Sequence, residues 1–369
     1  MGHSQKHIVI DARIRRSSTG RYVDRLVEHL QKNDSHTRYS VLVEPDDPWQ
    51  PSAQNFYRVE SPYPQFSFNP LHQFGFARQL YQLDADIVHF PMNQQPLLYL
   101  KPVVTSCMDL TMLRFTRPGK ASPLLFKARM AAYRFLFWYS LRKSKAIITI
   151  SQFVKQDIEK HYPFAASRIT VTYCASEPPL TAKAKPLHEV QSPFIMHIGS
   201  PFPHKNIDRL VEAFALLKKS HPDLQLVLVG KREHHFEQLE QRVQDHPYRQ
   251  DIIFTGFVSD ESLKWLFTHA EASLQPSLSE GFGLPGLEAM TYGCPLVSSN
   301  ATCLPEVYGP AAHYFDPESV EDIAQKTDEV LADAPLRKAL IKEGYVRLKK
   351  YSWQRMAEQT SDIYNNVLR

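Results

Sequence analysis

Short apolar runs separated by helix-period segments recur along this chain, and midway the series starts again. His7-Ile-Val-Ile, Tyr39-Ser-Val-Leu-Val, Asp86-Ile-Val-His-Phe, Val103-Val-Thr and Ala146-Ile-Ile-Thr-Ile make the first series. Phe194-Ile-Met-His-Ile, Leu224-Gln-Leu-Val-Leu-Val, Ile252-Ile-Phe, Ala272-Ser-Leu-Gln and Pro295-Leu-Val-Ser make the second. Each run reads as a buried strand, and the helices between them would cover both faces of a parallel sheet. The predicted class is therefore α/β, with two doubly wound, Rossmann-like domains facing across a cleft. The length of 369 residues agrees, being too long for one ordinary core and suited to two domains.

Between the series, Glu177-Pro-Pro-Leu-Thr-Ala-Lys-Ala-Lys-Pro is rich in residues that make poor helix and poor strand. This places an N-terminal domain at 1–178, a linker at 179–192 and a C-terminal domain at 193–351. The segment 352–369 carries Trp353, Met356, Thr360, Ile363, Tyr364 and Val367 at helical spacing. It packs on the second domain or crosses back to the first; the pattern fits both.

The formal charge of +4 is too small to argue for nucleic acid. Cys107, Cys174, Cys294 and Cys303 have no zinc or redox spacing, which suits a reduced, cytoplasmic compartment. No charged-then-apolar leader precedes the strand at Ile8, and no uninterrupted apolar run is long enough to span a bilayer. Pro123 to Lys145 is helical, aromatic and basic. Its apolar residues lie nearly all round, which suits packing on the sheet. The basic content suits peripheral contact with an anionic membrane at its inner face.

Chemistry concentrates in Pro276-Ser-Leu-Ser-Glu280-Gly-Phe-Gly-Leu-Pro285-Gly-Leu-Glu288. A strand ends near Gln275, and a glycine loop follows. Pro285 suits the first turn of a helix, where a missing N–H costs nothing. Gly281 and Gly283 are expected to take positive φ and, with Phe282 and Leu284, to turn backbone N–H groups toward a ligand. The helix start favours phosphate oxygens. Glu280 and Glu288 would accept hydrogen bonds from hydroxyls. Taken alone, such a loop is more often a plain turn with a helix-favouring glutamate.

The whole segment resembles the retaining glycosyltransferases of family 4, the group 1 type with the GT-B fold. Their signature is Glu, seven residues, Glu, with Gly-Phe-Gly after the first. The likeness continues through Gly199-Ser-Pro-Phe-Pro-His-Lys205-Asn, Leu228-Val-Gly-Lys231, Gly256-Phe-Val, Gly293-Cys-Pro-Leu-Val and Leu304-Pro-Glu-Val. It implies that Glu280 holds the hexose of a nucleotide-diphosphate sugar and Glu288 its ribose. Lys205 looks like the donor-phosphate lysine, with Gly199 and Ser200 beside the phosphates. Many members have Arg where Ser200 stands, so a second cation would come from Lys231 or Arg232, or be missing.

The first half is less similar. Asp11-Ala-Arg-Ile-Arg-Arg-Ser-Ser-Thr-Gly20 resembles the family's first strand and glycine loop, with Gly20 approaching the donor phosphate. Ser151 serves as a helix N-cap or a ligand contact. A His-Asp pair commonly stands near the reacting carbon; here Asp109 matches but Met108 replaces the histidine, with His89 and His72 as candidate substitutes. The resemblance implies hexosyl transfer from a UDP- or GDP-sugar, mannosyl- or glucosyl-type, to a glycan or lipid-linked acceptor. It implies retention of configuration, no metal and no cofactor beyond the donor, with Glu280, Lys205 and Asp109 at the reacting centre. No Asp-x-Asp pair is placed to hold a metal. An epimerase of the same fold and a non-catalytic nucleotide-sugar binder are the rival expectations.

Overall fold

The apolar runs of the first half pair side by side, all parallel. The structure, a computed structural model, describes residues 5–17, 19–115 and 122–369. In chain order the first unit contains β1 (His7–Asp11), α1 (Gly20–Asn33), β2 (Arg38–Val43), β3 (Phe56–Glu60), α2 (Pro70–Leu83) and β4 (Ile87–Phe90). It continues with β5 (Val103–Cys107), α3 (Thr111–Arg114), α4 (Pro123–Lys143), β6 (Ala146–Thr149), α5 (Gln152–His161) and β7 (Ile169–Val171). The sheet order is β3-β2-β1-β4-β5-β6-β7. Val9, Val88 and Val103 lie in register on one face, where Phe76 and Leu80 of α2 cover them; Phe137 and Leu141 of α4 pack further along with Cys107.

The second unit contains β8 (Phe194–Ile198), α6 (Ile207–Leu217), β9 (Gln225–Val229), α7 (His234–Arg242), β10 (Ile252–Gly256), α8 (Asp260–His269) and β11 (Ala272–Gln275). After these come α9 (Leu284–Thr291), β12 (Leu296–Ser299), α10 (Leu304–Tyr308), β13 (Ala312–Phe315), α11 (Val320–Ala332) and α12 (Ala334–Leu348). Its sheet is β10-β9-β8-β11-β12-β13, again parallel. Both strand orders reverse once, between β1 and β4 and between β8 and β11. At such a reversal the connecting loops diverge and leave a crevice beyond the carboxyl ends of the strands.

Three strands absent from the apolar series, β3, β7 and β13, are all at sheet edges. An edge strand has one neighbour, so part of its side chains face water and the apolar run is broken.

The chain divides into compact units Met1–Cys174 with Ser352–Arg369, and Ala175–Tyr351. The proline-rich stretch expected as a linker is tied to the second unit. Lys264 Nζ donates to the carbonyls of Leu180 and Ala182 at 2.8 Å each, and the Leu180 N–H donates to Tyr292 Oη at 3.1 Å. The last helix, α13 (Trp353–Val367), belongs to the first unit. It packs on α1 through its buried face of Met356, Ala357, Thr360 and Tyr364.

Candidate functional site

The loops leaving β8 and β11 carry the candidate donor residues, and they start side by side at the reversal of the second sheet. Gly199 ends β8 with φ +142, and the strand next to it closes in tightly. A Cβ on Gly230 would sit 2.9 Å from the Gly199 carbonyl oxygen. Glycine at 230 is thus what lets the ends of β8 and β9 approach.

Beyond Gly199 the chain makes a tight turn over Pro203–Lys205, and Asn206 follows at φ +61. The buried Asn206 amide donates to the carbonyls of Pro276 at 3.0 Å and Pro317 at 2.7 Å. The Leu278 N–H donates to the His204 carbonyl at 2.7 Å. These bonds lace the Lys205 turn to the Glu280 loop. Lys205 Nζ consequently lies 2.5 Å from Glu280 Oε1, which also accepts from Ser277 Oγ at 2.8 Å. Glu280 Oε2 has no partner among the described residues, so one carboxylate oxygen remains for a ligand hydroxyl.

The pair is mostly buried, with side chains 19% and 11% exposed. Burial alone would raise the Glu280 pKa. The Lys205 charge and hydrogen bond, with the Ser277 bond, outweigh it and hold the carboxyl below its ordinary value. Glu280 is thus held as an anion against the Lys205 side chain.

Gly283 caps α9 with φ +87, whereas Gly281 is not among the positive-φ glycines; the expectation for that glycine is corrected. A Cβ at Gly283 or Gly286 would fall 2.3 Å from the ring or hydroxyl of Tyr308. Tyr308 Oη donates to the Gly283 carbonyl at 2.6 Å. Packing by Tyr308 therefore requires these glycines. Pro285 is the second helical residue, Leu284 the first, and Glu288 follows one turn later, half-buried. Phe282 is buried edge-on against Tyr351.

Lys231 follows the end of β9, beside Gly199, and is exposed without a partner among the described residues. Arg232 instead donates to the Phe254 carbonyl at 3.2 Å and lies over Gly256. Of the two candidate second cations, Lys231 is the one whose charge is not already engaged. Ser200 is half-buried next to Gly199.

Asn206, Ser277 and Tyr308 were not read as site residues from the sequence, and neither was His197. The last is buried in β8, with Nδ1–H donating to the Leu274 carbonyl at 2.9 Å. Its Nε2 has no partner and lies 3.5 Å from where a Gly199 Cβ would be. Burial pushes its pKa down to about 4, so the ring is neutral. A histidine inside an otherwise apolar strand was the available signal.

In the first unit, Gly20 is the first residue of α1, and a Cβ there would fall 1.8 Å from the Arg15 carbonyl oxygen. This backbone crossing already requires glycine. Asp109 Oδ1 accepts from the Thr111 N–H at 2.8 Å, just before α3; Met108 beside it is half-buried. His89 is not an available substitute for the missing imidazole. It is wholly buried, with Nδ1 2.6 Å from Tyr364 Oη and Nε2 2.8 Å from Ser106 Oγ, and burial pushes its pKa down to about 3. His72 Nδ1 lies 2.9 Å from Ser67 Oγ. Ser151 caps α5, accepting from the Val154 N–H at 3.2 Å.

Two doubly wound parallel units, the second with an ion-paired crevice at its strand reversal, define the GT-B class of α/β protein. The structure is similar to sucrose-phosphate synthase from Thermosynechococcus elongatus, with TM-score 0.77 over 99% of both chains at 18% identity. Residues 180–347 match the family model "Glycosyl transferases group 1", and residues 19–178 match "Glycosyltransferase Family 4". The chain belongs to the group 1 glycosyltransferases. It is 35% identical over 234 residues to O-antigen chain mannosyltransferase B of Escherichia coli, covering 61% of each chain. It is 30% identical over 204 residues to O-antigen chain mannosyltransferase RfbU of Salmonella typhimurium, covering 55% of this chain and 56% of that one. Each match thus spans less than two thirds of the relative's length.

Proposed function

We propose that this glycosyltransferase moves a mannosyl-type hexose from a UDP- or GDP-sugar to a hydroxyl of a glycan or lipid-linked glycan, with retention of configuration. The observation that carries this reading is the Lys205–Glu280 pair held beside Gly199 and the start of α9. It joins an anion-binding group to a hydroxyl-binding group within one side chain's reach, as a sugar diphosphate requires. The mannosyltransferase names of the two relatives support the choice of sugar.

In the proposed reaction the bond from the anomeric carbon to the diphosphate oxygen breaks as that from the acceptor oxygen forms, on the same face. The acceptor proton passes to the departing phosphate oxygen. Charge growing on the diphosphate is met by Lys205, by Lys231 and by the α9 N-terminus, so no metal is called for. Glu280 Oε2 and Glu288 hold hydroxyls of the donor. The enzyme works in the cytoplasm, peripherally at the inner face of a membrane.

A thermal-shift panel of UDP-, GDP- and ADP-sugars tests the donor site, since a bound ligand raises apparent stability. A shift with a UDP- or GDP-mannose is expected, and no shift with any sugar nucleotide would sink it. Product that forms without an acceptor would replace transfer by epimerisation.

A further inference from the structure

The strands of the first sheet are parallel, so the segments that leave β3 and β4 emerge at the same edge of it. That edge includes the reversal between β1 and β4, where a doubly wound sheet leaves room for a ligand. Both segments differ from the rest of the chain. Of all its residues 22% are charged, yet Ser61 to Ala77 and Ile87 to Leu100 contain no Asp, Glu, Lys or Arg. Glutamines, prolines and aromatic rings stand there instead.

The two segments wall a narrow pocket, Gln65, Phe66 and His72 coming from the first and Gln94, Gln95 and Pro96 from the second. Its interior has room for about one water molecule. The walls are tied to each other and to β1. Gln73 Nε2 donates to the Ser67 carbonyl at 2.7 Å, and Gln73 Oε1 accepts from the Leu97 N–H at 3.4 Å. Arg13, just after β1, donates to the Tyr63 carbonyl at 2.8 Å and lies over the ring of Phe76. Its charge is already met by Asp11 at 2.6 Å. None of the lining side chains is an Asp, Glu, Lys or Arg.

What the pocket offers is hydrogen-bond acceptors. Gln95 is 3% exposed, and its Nε2 is engaged by Thr105 Oγ1, by Ser144 Oγ at 3.2 Å and by the Ser140 carbonyl at 3.5 Å. That leaves Gln95 Oε1 buried with no partner among the described residues, and Gln94 Oε1 is in the same state on a half-buried side chain. A shielded amide oxygen without a donor is costly, so a water or a ligand normally meets it. An amide oxygen only accepts: it binds a hydroxyl and repels a phosphate or carboxylate oxygen. Phe66, also in the lining, is 39% exposed and meets Phe68 edge to face with centroids 4.6 Å apart. Acceptors beside an open aromatic ring suit a pyranose, which has hydroxyls around its rim and C–H groups on its faces.

We propose that this glutamine pocket grips a neutral pyranose of the acceptor glycan. One sugar hydroxyl enters it and donates to Gln95 Oε1, a second donates to Gln94 Oε1 nearer the opening, and the ring lies against Phe66. The proposal rests on the glycan-acceptor reading of the previous section. It narrows that acceptor to one whose gripped sugar carries no phosphate or carboxylate.

Saturation-transfer NMR tests it without any donor, using neutral disaccharides ending in mannose, glucose, galactose or N-acetylglucosamine, and mannose 6-phosphate as the anionic counterpart. Binding of at least one neutral disaccharide is expected, with mannose 6-phosphate unable to compete. Gln94→Leu removes one acceptor at similar volume and Phe66→Ala removes the exposed ring; each is expected to weaken that binding by about tenfold, the worth of one hydrogen bond or ring contact. Both variants should keep the parent's thermal midpoint and its shift with a nucleotide sugar. In transfer assays they should raise the acceptor KM by about tenfold and leave the donor KM unmoved. No binding of any disaccharide, equal binding of mannose 6-phosphate, or variants that bind like the parent would overturn the proposal. A parent that binds the disaccharide through Gln94 yet shows no shift with any nucleotide sugar would uphold this site and sink the donor reading instead.

Discussion

Lys205 Nζ and Glu280 Oε1 lie 2.5 Å apart, although 75 residues separate them in the chain. Neither is positioned by its own loop alone: Asn206 and Leu278 tie the two loops together. The anion and cation of the donor site therefore come as one preformed unit, and its energetics can be tested apart from catalysis.

Lys205→Ala leaves a buried carboxylate without its cation and is expected to cost about 3 kcal/mol at neutral pH. Glu280 has a depressed folded pKa in the parent, so its contribution is present above the unfolded carboxylate range and lost as pH falls. In the variant burial dominates and the sign reverses. The stability gap between the two proteins should narrow as pH falls through the variant's raised pKa, above the ordinary 4.5, and on through the parent's depressed one, read by urea unfolding across pH. Lys205→Ala combined with Glu280→Gln should be less destabilised than Lys205→Ala alone. An unchanged gap at low pH would contradict the pairing.

Lys231 is exposed and has no partner among the described residues, so Lys231→Ala should leave the thermal midpoint unchanged. It should weaken a nucleoside diphosphate by about three- to tenfold, an effect that shrinks with added salt. Titration calorimetry of the diphosphate and of the nucleoside alone separates a phosphate contact from a base contact.

Tyr308→Phe removes the donor to the Gly283 carbonyl while keeping the ring, and is expected to cost about 1 kcal/mol. Gly283→Ala meets both the Tyr308 hydroxyl and an unfavourable φ, so it should cost about 2 kcal/mol or more and abolish donor binding. A Gly283→Ala protein as stable as the parent would show that the cap is not tightly packed.

Buried neutral histidines give acid lability. His89 and His197 have folded pKa values near 3 and 4, below the ordinary 6.5, so the unfolded chain binds more protons between those limits. Stability should fall as pH drops below about 6.5, with each histidine contributing up to about 1.4 kcal/mol per pH unit. Replacing His197 with Gln should flatten that slope, measured by urea unfolding at pH 7 and pH 5.

Activity is expected to survive a chelator such as EDTA, because the proposed phosphate charges are met by lysines and a helix terminus. Loss of transfer on chelation, restored by a divalent ion, would overturn the metal-independent mechanism.

The two-sheet architecture was legible in the sequence because strands buried on both faces must be apolar throughout, and ten such runs stand out. The edge strands β3, β7 and β13 did not, since water on one side removes that demand. Glu280, Lys205 and the glycine loop were legible because they belong to one local pattern with a family likeness. The pairing of Lys205 with Glu280, the engagement of Arg232, and the occupation of His89 by Tyr364 and Ser106 were not. Each depends on groups brought near by packing between distant segments. Gly20 and Gly283 show the division most clearly: the sequence marks a glycine, but only the fold reveals that the Arg15 carbonyl and Tyr308 fill the space a side chain would need. Periodicity thus settled the ten apolar strands. Tertiary contacts decided which charges are free, because burial and pairing are properties of neighbours in space rather than along the chain.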